Sequence, residues 1–437
     1  MILPIVVDFS LAGSLLLFGY LLRARVNILG KLLLPACIIG GLLGLITGPN
    51  GFGLIPFSSA FSSYPGILIA LIYCTLPFAS ATVDWRDLSQ QASDLWGLSV
   101  LTIVLQWATG IVLTVYILQW FWPDLHDGFS TMLAVGFVGG HGTAAAIGSA
   151  FSELGWKDAQ SLAMTSATVG IIASIGGGIL WINCHQRRKD DELSIITKQT
   201  NDSTNNNSVL STDLGRNTSH TVIDPLALQI CIVLIAFLGG YCLHHLWNTS
   251  IPDFKLPLFC LAFVSALCVK QFMALSGLLQ LIHKPTISHI ASTLTDFLII
   301  FGIAAIQFPV VVDYASQLTI LFLVGLALSF FICSVLGPVF IRHHWFEHAL
   351  FTWGWITGIM AMGIALLRIV DHHNRTCTLD HFAFAYLFIV PVEVVMVTLA
   401  PQLISRHMLW IVLLVTLLIA ILLLGYYGFR FARKQRK

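Results

Sequence analysis

Apolar runs of roughly 18 to 25 residues recur from one end of this chain to the other, and no other feature restricts its fold so severely. As helices rising about 1.5 Å per residue, runs of that length cross about 30 Å of hydrocarbon. They lie near 5–22, 32–48, 64–82, 95–122, 131–150 and 160–183, then near 225–247, 257–275, 291–309, 317–341, 349–369 and 382–403, with one more at 409–427. Only 10% of the 437 residues are charged, against about 25% in a soluble domain. That is too few to dress a water-facing surface. The fold class is therefore an all-α polytopic membrane protein, and the lipid bilayer is its first partner. A net charge of +1 gives no sign of a nucleic-acid partner. The nine cysteines show no framework spacing, so neither a disulfide set nor a metal cage is expected. "MILPIVVDFS" lacks the basic start of a signal peptide, so the first run is expected to be a retained helix.

The runs fall into two series of six that start about 220 residues apart. Pro35 in "KLLLPACIIGG" answers Pro257 in "KLPLFCLAFV", an offset of 222 (257 minus 35). The fifth run of each series is interrupted by glycine, "GFVGGHGTAAAIG" in the first and "WGWITGIMAMGIALL" in the second. Paired interruptions at matching places in two halves are the best sequence pointer to a transporter's binding site. Four regions follow: a first repeat over 1–183, a polar linker over 184–222, a second repeat over 223–404, and a final span with a basic tail over 405–437. The linker, rich in Ser, Thr, Asn and charge, reads as flexible and cytoplasmic.

Lysine and arginine decide whether the interrupted runs cross the membrane or turn back, because cytoplasmic loops carry the excess of positive charge. If both turn back, each half crosses five times and the halves are inverted. One side then holds 17 Lys and Arg, and the other holds three: Lys157, Lys255 and Arg406. If both cross, the split falls to about 12 against 8. The expected fold is thus an inverted repeat of two five-helix halves, each with a re-entrant hairpin (131–150 and 349–369), plus one extra C-terminal helix. The N-terminus is expected outside and the tail inside.

Non-helical backbone at membrane depth is tolerated only where protein buries it or where it lines a wet cavity. What it gains is exposed half-helix ends: N-termini suit a carboxylate, and unwound carbonyls suit Na⁺. In "GGHGTAAA", Gly139, Gly140 and Gly142 permit a tight tip, and Thr143 can cap the following half-helix or donate its hydroxyl to a ligand. The competing reading is that such glycines are close-packing points between helices.

These residues resemble the bacterial sodium/glutamate symporters. "GGHGTAAAIGSAFSELGWKDAQSLAMTSATVGI" is similar to that family's first hairpin and the helix after it; "TGIMAMGIALLRIVD" and "YLFIVPVEVV" are similar to its second hairpin and last core helix. The resemblance covers residues 1 to about 404, so the span at 409–427 lies beyond the family's usual core. It implies an inverted five-plus-five repeat and Na⁺-coupled uptake of glutamate. By position it puts Gly140, His141, Gly142 and Thr143 at the first hairpin tip, and Thr357 and Gly358 at the start of the second.

Other polar residues inside apolar runs each carry two readings. Since a charge at the bilayer centre costs about 2.5–3.5 kcal/mol on insertion scales, Asp296 in "STLTDFLIIFG" is either a Na⁺ or site ligand or lies at the interface, and Glu393 in "FIVPVEVVMV" is either a Na⁺ or coupling acid or an acid paired for structure. Thr168 is either an ion ligand or, with Thr165, Ser166 and Gly176–Gly178, part of a close-packing face. Arg368 either pairs a substrate carboxylate, or snorkels to the inner interface or pairs Asp371. His141 is either a proton relay or a neutral, hydrogen-bonded histidine. Asp8 is expected to be wet near the outer end of its run, and Lys270 to snorkel at the inner end. "DHHNRTCTLDH" matches no closed zinc pattern. The expected activity is Na⁺-coupled symport of L-glutamate or a related anion by alternating access. No organic cofactor is called for, and Na⁺ serves as the coupling ion. The sequence leaves a homodimer open. The alternatives are a transporter of another carboxylate, one coupled to protons, or an ion channel. No nucleophile–base pair stands at an enzyme's spacing.

Overall fold

Proline and glycine place many of the helix ends. The computed structural model describes residues 2–26, 34–79, 90–193, 224–251, 256–341, 343–371 and 376–435; most of the polar linker (194–222) and the histidines at 372 and 373 lie outside them. We number the helices α1 (Ile2–Arg25), α2 (Ala36–Thr47), α3 (Tyr64–Ala79), α4 (Ala92–Phe121), α5 (Met132–Phe137), α6 (Gly140–Glu153) and α7 (Ala159–Leu193). After the linker come α8 (Pro225–Ser250), α9 (Leu258–Leu275), α10 (Lys284–Ala304), α11 (Phe308–Asp313), α12 (Ala315–Phe340), α13 (Trp345–Thr357), α14 (Met360–Val370), α15 (Thr378–Ser405) and α16 (Leu409–Gln435). Among the described residues there is no strand, and ten helices are long and apolar enough to cross a membrane. The chain is an all-helical, multi-pass membrane protein.

Pro35 and Pro257 do the same local job. Each is the N-cap of its helix, with φ −60° and ψ 145° at Pro35 and φ −62° and ψ 149° at Pro257. Proline's fixed φ and missing N–H suit a helix start. α2 is shorter than its run, because Pro35 begins it and Gly48 ends it after 12 residues. α1 packs on α2, and α8 packs on α9. A second correspondence was invisible in the sequence: α4 and α12 each end in a π turn, at Thr114–Leu118 and at Ile332–Leu336. The two lie 218 positions apart (332 minus 114), close to the offset between the prolines. An inserted residue of this kind bends the helix and recurs at functional places. In both series the chain then leaves the long helix and enters a pair of short helices, α5–α6 and α13–α14.

Two expectations about charged residues change. Asp8 is 1% exposed, not wet. Its carboxylate accepts from the Ser58 N–H (2.9 Å), the Ser58 hydroxyl (2.5 Å) and the Tyr64 hydroxyl (2.8 Å), so three donors tie α1 to the loop before α3. Lys270 turns its ammonium to the Pro77 carbonyl at 2.5 Å. A cation at the C-terminal turn of α3 meets the negative end of that helix. The linker also begins later than its composition suggests, since α7 runs on to Leu193.

α16 lies against α4. Arg430 pairs with the buried Asp94 through both carboxylate oxygens. The Tyr427 hydroxyl donates to the Ser93 carbonyl at 2.8 Å, and its ring stacks on Phe340 with 4.1 Å between centroids.

Candidate functional site

The two interrupted runs break where glycine permits it, and the breaks meet. α5 stops at Phe137, Val138 and Gly139 form a turn, and α6 restarts at Gly140. Gly140 has φ +58°, a left-handed conformation that a side chain disfavours. A Cβ there would also meet Ile359 Cγ2 at 2.6 Å and the Gly358 carbonyl oxygen at 3.2 Å. The backbone of the first break therefore rests directly on that of the second. At the second break α13 ends at Thr357, Gly358 and Ile359 are extended or irregular, and α14 begins at Met360. The N-terminal ends of α6 and α14 and the C-terminal ends of α5 and α13 thus converge. Helix ends, whose terminal N–H groups and carbonyls have no partner within their own helix, stand side by side.

α7 holds both breaks. A Cβ on Gly136 would strike Ser166, and one on Gly170 would strike the Thr357 carbonyl, so small residues on both sides let the backbones close up. The Ser174 hydroxyl donates to the Gly354 carbonyl at 2.9 Å, and the Trp353 indole donates to the Ser174 carbonyl at 3.0 Å. Gly177 and Gly178 lie under Trp353 and Leu366. This much of the close-packing reading holds for α7.

The predicted residues form two polar pairs beside the breaks. His141 is 1% exposed, and its Nε2 lies 3.2 Å from Thr168 Oγ1. The Thr168 hydroxyl already donates to the Met164 carbonyl at 2.8 Å. It can therefore only accept from histidine, which assigns the proton to Nε2 and leaves Nδ1 a bare acceptor. Nδ1 is buried without a partner among the described residues. Thr143 does not cap α6; its hydroxyl donates to Glu393 Oε1 at 3.0 Å, joining the first break to α15. An enclosed cavity of about 30 Å³ adjoins this pair, lined also by Gly139, Trp107 and Thr416. That is room for one water-sized species.

Other predicted residues stand apart. The fully buried Thr357 hydroxyl donates back to the Trp353 carbonyl at 2.6 Å. Asp296 is half-buried on α10, near Cys37 of α2. Arg368 is exposed in the last turn of α14, about 12 Å along the helix from the break. There its charge complements a helix C-terminus. One residue at the breaks was missed. The Gln106 amide donates to the Ile356 carbonyl at 3.2 Å and to the Ser329 hydroxyl at 2.9 Å, so α4 satisfies an orphan carbonyl at the end of α13. An amide in the middle of the apolar run 95–122, far from either end, was the available signal.

The sequence model of one family, described as the sodium/glutamate symporters, matches residues 1–343. The matched stretch includes the first break, Thr168 and Asp296, and ends before the second break, Glu393 and α16. No curated protein matches the chain.

Proposed function

The chain belongs to the sodium/glutamate symporter family, a family of Na⁺-coupled transporters, and from that premise we propose that it imports L-glutamate or a close anionic relative with Na⁺ by alternating access. The observation that carries this reading is the meeting of the two breaks, Gly140 against Gly358 and Ile359. Two helix N-termini there offer N–H donors to a carboxylate, and two C-termini offer carbonyls to Na⁺. The bare Nδ1 of His141 adds an acceptor for a substrate N–H, and Glu393 adds a carboxylate beside the first break. The short helix pairs are read as re-entrant hairpins in inverted halves. The matched N-cap prolines, the matched π turns and the lysine and arginine count support that reading. The charge count also favours an external N-terminus and a cytoplasmic tail in a bacterial inner membrane.

Energetics favour more than one ion per substrate. Bringing in one net negative charge is opposed by about 2.3 kcal/mol per 100 mV of membrane potential. Two or more Na⁺ reverse the sign and let the potential help. In proteoliposomes an inward Na⁺ gradient should drive accumulation of labelled L-glutamate, and K⁺ in its place should reduce uptake to background. Uptake indifferent to that exchange would refute Na⁺ coupling. One observation favours a second reading: Glu393 is a protonatable group held only by a hydroxyl among its described hydrogen bonds. Accumulation driven by a pH gradient alone would make the proton the coupling ion.

A further inference from the structure

The two breaks do not offer the same groups. The last four carbonyls of a helix have no partner within it, and at the end of α13 these belong to Gly354, Trp355, Ile356 and Thr357. Gly354 already accepts from the Ser174 hydroxyl at 2.9 Å, and Ile356 from the Gln106 amide at 3.2 Å. The end of α5 receives no such donor. Among the described residues no side chain donates to a carbonyl from Val135 to Gly139. The Thr143 side chain, which a Cβ on Gly139 would strike, donates to Glu393 instead.

The repeat sharpens the contrast. Ser174 and Glu393 stand 219 positions apart (393 minus 174), close to the offset of the π turns. Each reaches the break of the other half: Ser174 on α7 the second, Glu393 on α15 the first. One half thus contributes a neutral hydroxyl where the other contributes a carboxylate. No basic side chain pairs with Glu393 among the described residues, and a carboxylate at membrane depth calls for a cation. The enclosed cavity of about 30 Å³ is lined by this residue and by Val138 and Gly139 of the break. It is too small for an amino acid and large enough for one water-sized ion. α16 closes it through Thr416 and Ile419. The fully buried Thr416 hydroxyl donates to the Val412 carbonyl at 2.9 Å, and the Thr143 hydroxyl gives its proton to Glu393. Both oxygens therefore have only lone pairs left to offer. Lone pairs suit a cation and repel a carboxylate.

We propose that one coupling Na⁺ binds in this cavity, at the first break and not at the second: Glu393 balances its charge, and the Thr143 and Thr416 oxygens with a carbonyl from the end of α5 complete its shell. The inference rests on the Na⁺-transport reading and narrows it, since that reading allows the carbonyls of either break. It also gives α16 a part in transport. The helix beyond the family's usual core supplies a ligand and one wall of the ion's cavity.

The test measures half-saturating Na⁺ for L-glutamate uptake in proteoliposomes, and radiolabelled Na⁺ binding to the purified full-length protein. Thr416→Val keeps the shape of the side chain and removes its oxygen. It should raise half-saturating Na⁺ about tenfold and leave KM for glutamate at saturating Na⁺ within about twofold of wild type. Thr416→Ser, which restores the oxygen, should reverse the effect. Glu393→Gln should weaken Na⁺ binding by about tenfold or more. Ser174→Ala, at the equivalent position, should lower the maximal rate while half-saturating Na⁺ stays within about twofold of wild type, a split that loss of structure would not produce. If Na⁺ drives wild-type uptake but half-saturating Na⁺ ignores Thr416→Val and Glu393→Gln, or rises in Ser174→Ala instead, the ion site is wrong and the transport reading stands. Na⁺ binding kept in Glu393→Gln, with accumulation driven by a pH gradient lost, would make Glu393 a proton carrier and overturn the site. If the wild type shows neither Na⁺ binding nor Na⁺-driven uptake, the transport reading falls and the ion site falls with it.

Discussion

Gly140 and Gly142 are one residue apart in "GGHGT" and look equivalent in the sequence, yet they face different surroundings. Gly140 combines φ +58° with a close approach to Ile359. Gly142 has ordinary helical backbone, and a Cβ there would find only Ile69 Cδ1 at 3.6 Å. Alanine at 140 is expected to cost about 1–2 kcal/mol for the left-handed backbone alone, before the collision at 2.6 Å forces the breaks apart. Gly140→Ala should therefore lower the melting temperature in detergent and abolish Na⁺-driven uptake. Gly142→Ala should leave the melting temperature within about 2 °C and keep most of the uptake. Equal damage from the two would mean that the breaks do not meet as described. A titratable contact gives a second prediction, outside the spans. The His126 Nδ1 accepts from the Gly128 N–H at 2.9 Å, and the ring stacks on Trp156 with 4.5 Å between centroids. Burial pushes this imidazole's pKa below its ordinary value, outweighing the raising effect of Asp127, while His407 adds a smaller push down. The folded state thus favours neutral His126. Its contribution is complete above the unfolded value of about 6.5 and is lost as pH falls through the lower folded value. Melting temperature should drop between pH 7.5 and 5, and His126→Asn, which keeps an N-cap acceptor without titrating, should flatten that slope. An unchanged slope would assign the acid sensitivity elsewhere.

At the scale of helices, hydropathy found the long elements because a membrane span must satisfy its own backbone, and so leaves an unbroken apolar run. It could not find the π turns in α4 and α12, because "TVYIL" and "ICSVL" are as apolar as the helix around them. Nor could it show α2 stopping after 12 residues, since the proline and glycine that bound it resemble those tolerated within spans. The break at 138–139 was legible from its glycines. The polar partners of the two breaks were not: Glu393 reaches Thr143 at the first and Gln106 the Ile356 carbonyl at the second, and a polar residue in an apolar run does not say which carbonyl or hydroxyl it reaches. The same limit applies to α16, which reads as one more span but is pinned to α4. Asp94 is 3% exposed and Arg430 is its partner. Removing one member of a buried pair costs about 3–5 kcal/mol. Arg430→Met should lower the melting temperature markedly, and adding Asp94→Leu should recover most of the loss, since replacing both partners with apolar groups is far milder than breaking the pair. A double variant no better than Arg430→Met would show that the pair does not fasten α16.

Across the whole molecule, the fold class needed only the apolar runs, whereas sidedness needed the distribution of 22 lysines and arginines. Those two signals are physically independent: the first comes from desolvation along a helix, the second from the retention of positive charge on the cytoplasmic side. They agree on one arrangement, in which an odd number of crossings separates Lys157 from the end of α7. In the proposed arrangement α7 supplies that crossing. Its span Ala159–His185 is 27 residues long, about 40 Å at 1.5 Å per residue, and only one such helix lies between the two positions. If α5 and α6 instead crossed as one continuous span, the break at Gly140 would put non-helical backbone at membrane depth without returning the chain to the side it came from, and the positive charge would spread about 12 to 8 between the two sides. Single cysteines at Lys157, Asp190 and Arg406, in a background with the nine native cysteines replaced and Na⁺-driven uptake retained, separate these arrangements. Positions 157 and 190 lie on opposite sides in both, whereas 157 and 406 share a side only if both interrupted runs turn back. A membrane-impermeant maleimide added to intact cells should label Lys157→Cys and spare Asp190→Cys until the membrane is opened, and Arg406→Cys should behave like Lys157→Cys. Labelling of positions 157 and 190 from the same side would remove the α7 crossing, and with it the inverted arrangement in which breaks contributed by both halves of the chain meet between opposite faces of the membrane.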